Sequence, residues 1–156
     1  MKSIENIENI KNKKVLLRLD LNVPLKNGKI IETNRIDKIL PTLNLLIKKK
    51  AKIIIISHVG RPKGMIKEDL SLEPISHYIK EKVKKDVFLL KTNIFSLNKY
   101  DIFKNSDNKI LLLENIRFYP EEEANDDKFS EKLASLGEIY VNDAFSCSHR
   151  NHASVS

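Results

Sequence analysis

The chain has 156 residues, 41% of them hydrophobic and 31% charged, with 28 basic against 21 acidic side chains and a formal net charge of +7. That length fits one compact domain with a real core, and no apolar run approaches the ~20 residues needed to span a bilayer. The opening MKSIENIENIKNKK alternates charged and apolar residues and lacks the apolar core of a signal peptide, so a cytoplasmic chain is expected.

Five runs read as buried strands, at residues 15–19, 53–56, 87–90, 110–113 and 139–141. Each is a short β-branched or leucine-rich stretch without in-out alternation, the pattern of a parallel sheet covered on both faces. After the first strand, Ile36, Ile39, Leu40, Leu43, Leu46 and Ile47 recur at helical spacing, which predicts an amphipathic helix over 35–49. Pro41 lies inside it and is expected to kink it, since it removes a backbone donor and crowds the preceding turn. After the second strand a helix is expected to start behind Ser71 as N-cap, with Pro74 in the tolerant first turn and Leu72, Ile75, Ile79 and Val83 as its stripe. The polar stretch 92–108, with one apolar patch at 94–97, is a long excursion of undefined structure. A third helix is expected over 126–136, with Phe129, Leu133 and Leu136 on one face and Gly137 as C-cap. This alternation predicts a single α/β domain, a doubly wound, mainly parallel, Rossmann-like sheet with helices on both faces.

Open parallel sheets bind ligands outside the carboxyl ends of their strands, and that is where unusual side chains fall. The chain has only five arginines beside its 23 lysines, and none belongs to the lysine runs that provide routine surface charge. The excess charge is lysine spread along the whole chain, with aromatics at 6% and no RNA-stacking motif, so it reads as a solvated face and not as a nucleic-acid surface. Asp20 and Asn22 follow the first strand, His58 and Arg61 the second, Arg117 the fourth, and His149 and Arg150 the fifth. A planar, permanently charged guanidinium holds carboxylate or phosphate with two parallel hydrogen bonds. These groups on one rim therefore point to a small, multiply anionic ligand.

Each motif also has a plainer reading. Asp20-Leu21-Asn22-Val23-Pro24 is turn chemistry as well as a carboxylate and an amide able to orient a hydroxyl. In Ser57-His58-Val59-Gly60-Arg61-Pro62-Lys63-Gly64 the glycines allow close backbone approach to a ligand, and His58 and Arg61 supply donors. This is no P-loop: only three residues separate Gly60 from Gly64, and no Lys-Ser/Thr pair follows. A Gly-x-Gly-x-x-Gly pattern is also absent from the sequence. In Glu114-Asn115-Ile116-Arg117-Phe118-Tyr119-Pro120-Glu121-Glu122-Glu123 the glutamates have a metal reading, but three in a row before a helix more often solvate its first turn. The single Cys147 excludes an internal disulfide and a multi-cysteine metal site, and its separation by two residues from His149 is no sign of a nucleophile–base pair.

In chain order, these segments resemble the amino-terminal domain of the phosphoglycerate kinase family. Lys14-Val15-Leu16-Leu17-Arg18-Leu19-Asp20-Leu21-Asn22-Val23-Pro24 is similar to its signature stretch, and residues 57–64 to its Ser-His-x-Gly-Arg-Pro-x-Gly loop. Residues 113–123 resemble its Glu-Asn-x-Arg-Phe segment, and residues 141–154 its Asn-Asp-Ala-Phe…His-Arg-x-His-Ala-Ser stretch. Where many members have Gly-Thr after Ala-Phe, this chain has Ser146-Cys147.

The resemblance implies a kinase that transfers a phosphoryl group reversibly between ATP and the carboxylate of 3-phosphoglycerate, giving 1,3-bisphosphoglycerate and ADP. It implies substrate contacts from Asp20, Leu21, Asn22, Arg35, His58, Val59, Gly60, Arg61, Arg117 and Arg150, with Arg35 meeting charge during transfer. Arg18, inside the strand, is expected to be a structural ion-pair partner. Residues 1–156 would be the substrate-binding domain. Mg·ATP or ADP would be held by a carboxyl-terminal nucleotide domain absent from this sequence, through a fragment or a truncated product, and the chain alone would be inactive. The expected partners are the two glycerate phosphates, with no nucleic acid, no membrane and a monomeric state. The alternative is an anion-binding module without catalysis.

Overall fold

A computed structural model describes residues 9–104 and 110–143. Strand β1 is Lys14–Leu19, and a two-residue pair, β2 (Leu25–Lys26) and β3 (Lys29–Ile30), forms a small antiparallel hairpin. Then come α1 (Asn34–Lys48), β4 (Lys52–Ile56), α2 (Glu73–Val83), β5 (Val87–Leu90), β6 (Ile110–Leu113), α3 (Pro120–Glu123), α4 (Asp127–Ser135) and β7 (Ile139–Asp143). All five expected strands form, to within two residues at their ends. They make one sheet in the order β5-β6-β4-β1-β7, with every pairing parallel.

The alternation of side chains along each strand divides the core in two. Val15, Leu17 and Leu19 of β1 pack with Ile53 and Ile55 of β4 under α1 and α2, whose Ile36, Leu43, Leu46, Ile75 and Ile79 are buried there. On the opposite face Leu16, Ile54, Ile56, Leu111 and Leu113 pack under Phe129 and Leu133 of α4. The excursion after β5 also belongs to this second layer: Ile94, Leu97, Ile102 and Phe103 are buried in it. Both faces being covered is why the strands carry no polar alternation. The crossovers after β1 and β4 cover one face, and those after β5 and β6 cover the other. The connections leaving the neighbouring strands β4 and β6 therefore run to opposite faces, a switch point of the kind at whose carboxyl end such sheets hold ligands.

One local expectation is revised and one feature is new. Helix α1 runs through Pro41 without interruption. Gly137 is no left-handed C-cap: α4 ends with Leu136 in helical conformation, and the glycine is needed for space, since a Cβ there would lie 2.8 Å from Leu16 Cβ. The hairpin went unread, although Asn27-Gly28 is the standard signal for a tight two-residue turn. Both residues have positive φ, 53° and 73°, as a type I′ turn demands.

Candidate functional site

The rim begins where β1 ends. Ser57, the first residue beyond β4, donates its hydroxyl to the Leu19 carbonyl at 2.7 Å and accepts the Leu21 N–H at 3.1 Å. One buried hydroxyl thus locks the exit of β1 to the exit of β4. Asp20 Oδ1 accepts the Asn22 N–H at 3.2 Å, an Asx turn that sends the chain across the rim. Asn22 Oδ1 then accepts the Gly60 N–H at 3.1 Å. From the start of α1, Arg35 Nη1 lies 3.4 Å from both oxygens of Asp20, with the Arg35 side chain 46% exposed and that of Asp20 17%.

At the exit of β6 Asn115, fully buried, acts as a bracket. Its amide nitrogen donates to the Val59 carbonyl at 2.8 Å and the Leu70 carbonyl at 3.0 Å, and its Oδ1 accepts the Arg117 N–H at 3.1 Å. The Ile116 N–H reaches the Ser57 carbonyl at 3.1 Å. Neighbouring Glu114 accepts from the Ser71 hydroxyl and the Leu72 N–H, both at 2.7 Å, so its carboxylate ties the start of α2 to the end of β6. The N-cap of α2 is Leu72 and not the expected Ser71, because Glu114 takes the Leu72 N–H; Ser71, one residue earlier, still accepts the Glu73 N–H at 3.1 Å. These bonds hold Arg117 with its guanidinium 3.5 Å from the Gly60 carbonyl and the side chain 4% exposed.

The expected site residues thus divide by what they can offer. Asp20, Asn22, Arg35, Gly60, Arg61 and Arg117 follow the strand ends, with Asn22 and Arg117 meeting at Gly60 and Arg35 facing Asp20. Arg61 is exposed and, among the described residues, makes no hydrogen bond or ion pair. His58 is nearly buried, 2% exposed, just beyond the end of β4, where Arg18 Nη2 lies 3.1 Å from its Nδ1. Leu21 and Val59 are buried, with the Leu21 N–H committed to Ser57 and the Val59 carbonyl to Asn115. The glycines of the loop answer to packing within the chain: Gly60 has φ +63°, and a Cβ there would lie 2.8 Å from Leu70 Cδ2. Gly64 has φ +74° and would press on Pro120 at 2.9 Å. Arg150, with His149 and Cys147, lies outside the described residues.

A cleft of about 860 Å³ lies among the segments that follow β4, β5 and β6 and is lined by none of these anion-holding side chains. Its wall includes Glu68, Glu73, Glu114 and Glu121, and its one lysine, Lys91, is 3.5 Å from Glu73. That charge is wrong for an anionic ligand. Among the described residues, no three His, Cys, Asp or Glu side chains form a group able to hold a metal ion. Among the described residues, no helix is long and apolar enough to cross a membrane.

The family model described as Phosphoglycerate kinase matches residues 4–156. The phosphoglycerate kinase of Dictyoglomus turgidum is 49% identical over 149 residues, covering 96% of this chain and 37% of the relative. That of Clostridium kluyveri is 46% identical over 156 residues, covering 99% of this chain and 39% of the relative. Among solved structures, the phosphoglycerate kinase of Coxiella burnetii superposes with TM-score 0.86 at 36% identity, over 97% of this chain and 37% of that one. The enzyme of Pyrococcus horikoshii gives TM-score 0.84 at 33% identity, over 99% and 39%. The chain thus spans less than two fifths of the length of these relatives.

Proposed function

The chain belongs to the phosphoglycerate kinase family, and from that premise we propose that it supplies the 3-phosphoglycerate site of a kinase acting on the ligand's carboxylate. The complete enzyme would transfer a phosphoryl group reversibly between ATP and 3-phosphoglycerate, giving 1,3-bisphosphoglycerate and ADP. Residues 1–156 would be its substrate-binding domain, with the nucleotide and its Mg²⁺ held elsewhere in the enzyme, in a cytoplasmic monomer.

One observation supports this reading above the rest. The loop of Gly60 is held from the exits of two other strands, by Asn22 at its N–H and by Arg117 at its carbonyl. Groups from three separate strand ends are thereby fixed around one short segment, beside the exposed Arg61. 3-Phosphoglycerate carries a carboxylate, a hydroxyl and a phosphate within a three-carbon frame, and the rim offers a matching set. Arg61, Arg117, His58 and Arg150 would serve the anionic groups, Asp20 and Asn22 the hydroxyl region, and the Gly60 backbone the approach between them. Phosphoryl transfer is mainly positioning and charge stabilisation. Arg35 would meet charge developing at the carboxylate, and its long contact with Asp20 leaves it able to turn to a ligand.

Calorimetry tests the reading. The 156-residue chain should bind 3-phosphoglycerate and show no heat with Mg·ATP. In a coupled assay with both, it should stay at background, because no nucleotide phosphates are cradled opposite the acceptor. Turnover by this chain would place nucleotide binding within residues read here as scaffold. Absence of 3-phosphoglycerate binding would remove the substrate assignment.

A further inference from the structure

We propose that Arg18 is a positioning residue for His58, fixing its imidazole as the neutral tautomer with the proton on Nε2. The consequence for binding rests on the acceptor site proposed above. The tautomer is a property of the chain without ligand.

The argument begins in the strand. Arg18 lies on β1 opposite Ile56 of β4, two residues before His58, and is among the largest side chains with no exposure at all. It points into the layer that holds Leu16 and Ile54, where a guanidinium has no water to meet it. A buried cation is costly unless hydrogen bonds satisfy it. Nε and Nη1 of Arg18 have no hydrogen-bond partner among the described residues, which leaves Nη2 to His58 Nδ1, at 3.1 Å, as its described directed contact.

The direction of that bond is set by chemistry. A guanidinium has five N–H donors, no acceptor, and is not deprotonated in proteins. Nδ1 must therefore supply the lone pair and cannot carry a proton. The imidazole is then neutral with its hydrogen on Nε2, since an imidazolium would set two donors head to head. Tyr140 of β7 and the fully buried Glu122 of α3 share this electrostatic neighbourhood with Arg18.

His58 would thus serve the rim as an N–H donor, and the charge behind it would belong to Arg18. A cation bonded to one ring nitrogen polarises the N–H at the other, as charge-assisted bonds do. The donor would be oriented by a strand and not by a flexible side chain, and it would favour a ligand oxygen over any ligand group that itself donates.

The test is a two-bond proton–nitrogen correlation on the ¹⁵N-labelled 156-residue chain near neutral pH, without ligand, with the His58 signals identified by their loss in His58→Asn. The expected spectrum shows one Nε2–H tautomer in the wild type and an average of tautomers or an imidazolium in Arg18→Met. Arg18→Lys, whose ammonium also only donates, should restore the wild-type pattern. An Nδ1–H tautomer or an imidazolium in the wild type would overturn the proposal, as would an unchanged pattern in Arg18→Met. If Arg18→Met does not fold, the wild-type spectrum decides. In a folded Arg18→Met chain, affinity for 3-phosphoglycerate should fall about tenfold, the scale of one charge-assisted hydrogen bond. A wild-type chain with the Nε2–H tautomer but no affinity for 3-phosphoglycerate would sink the proposed substrate and support the Arg18 assignment.

Discussion

Arg61 is the rim arginine with most to give a ligand, because it is exposed and commits no donor within the described chain. Arg61→Ala should therefore weaken 3-phosphoglycerate binding by about 1.5–3 kcal/mol, the range for hydrogen bonds to charged groups, while leaving the thermal midpoint in place. Calorimetry beside a melting curve separates the two effects, and an unchanged affinity would exclude Arg61 from the site. The sequence pointed to the strand-end rim because arginine is scarce here and all but Arg18 come after a strand-like run. Ser57 and Asn115 were not legible as organisers. Each serves backbone groups of segments 36 to 56 residues away, and a polar residue's value as a bracket appears only once the loops meet. Arg18 was expected as an ion-pair partner because it lies inside a strand; the bond the structure describes for it runs to the ring of His58.

At the scale of elements, strands and helices were readable because both sheet faces are covered, so each strand announces itself as an unbroken apolar run. Glycines were less readable. Gly137 looked like a helix stop and is in fact a contact point between α4's exit and β1, with Leu16 N at 3.1 Å and Leu16 Cβ at 2.8 Å from where a Cβ would stand. Gly137→Ala should cost about 1–3 kcal/mol, the usual penalty of overpacking, measured by urea unfolding; a neutral result would mean that the strand yields freely. Helices α1 and α2 are joined by the Tyr78 hydroxyl, which donates to Asp37, whose carboxylate also accepts from the Thr33 hydroxyl at 2.9 Å. These bonds, Tyr78 first, hold the Asp37 carboxyl below its ordinary range. A depressed carboxyl stabilises the fold above its unfolded pKa and loses that contribution as pH falls through the folded one. Tyr78→Phe should therefore raise the Asp37 titration midpoint, read by carbon NMR of the carboxyl. The stability difference between variant and wild type should shrink in acid. A midpoint unmoved by the substitution would show that the hydroxyl is not bonded there in solution.

For the whole molecule, the decisive feature is that the connections after β4 and β6 leave on opposite faces at the carboxyl rim. The order of elements in the sequence foretold a doubly wound sheet, yet that switch point depends on which strands become neighbours, and β6 inserts between β4 and β5. No run of apolar residues encodes that insertion. Two candidate ligand regions result, the arginine-bearing rim and the acidic cleft, and charge separates them. The central claim is that the rim takes 3-phosphoglycerate. Its most direct test is a titration of the ¹⁵N-labelled chain followed through backbone amide shifts. The account expects saturable shifts at Asn22, Gly60, Arg61 and Arg117, with the amides of His77, Lys91 and Phe95 unmoved. Shifts confined to the acidic cleft, or no saturable shift at the Gly60 loop, would contradict it.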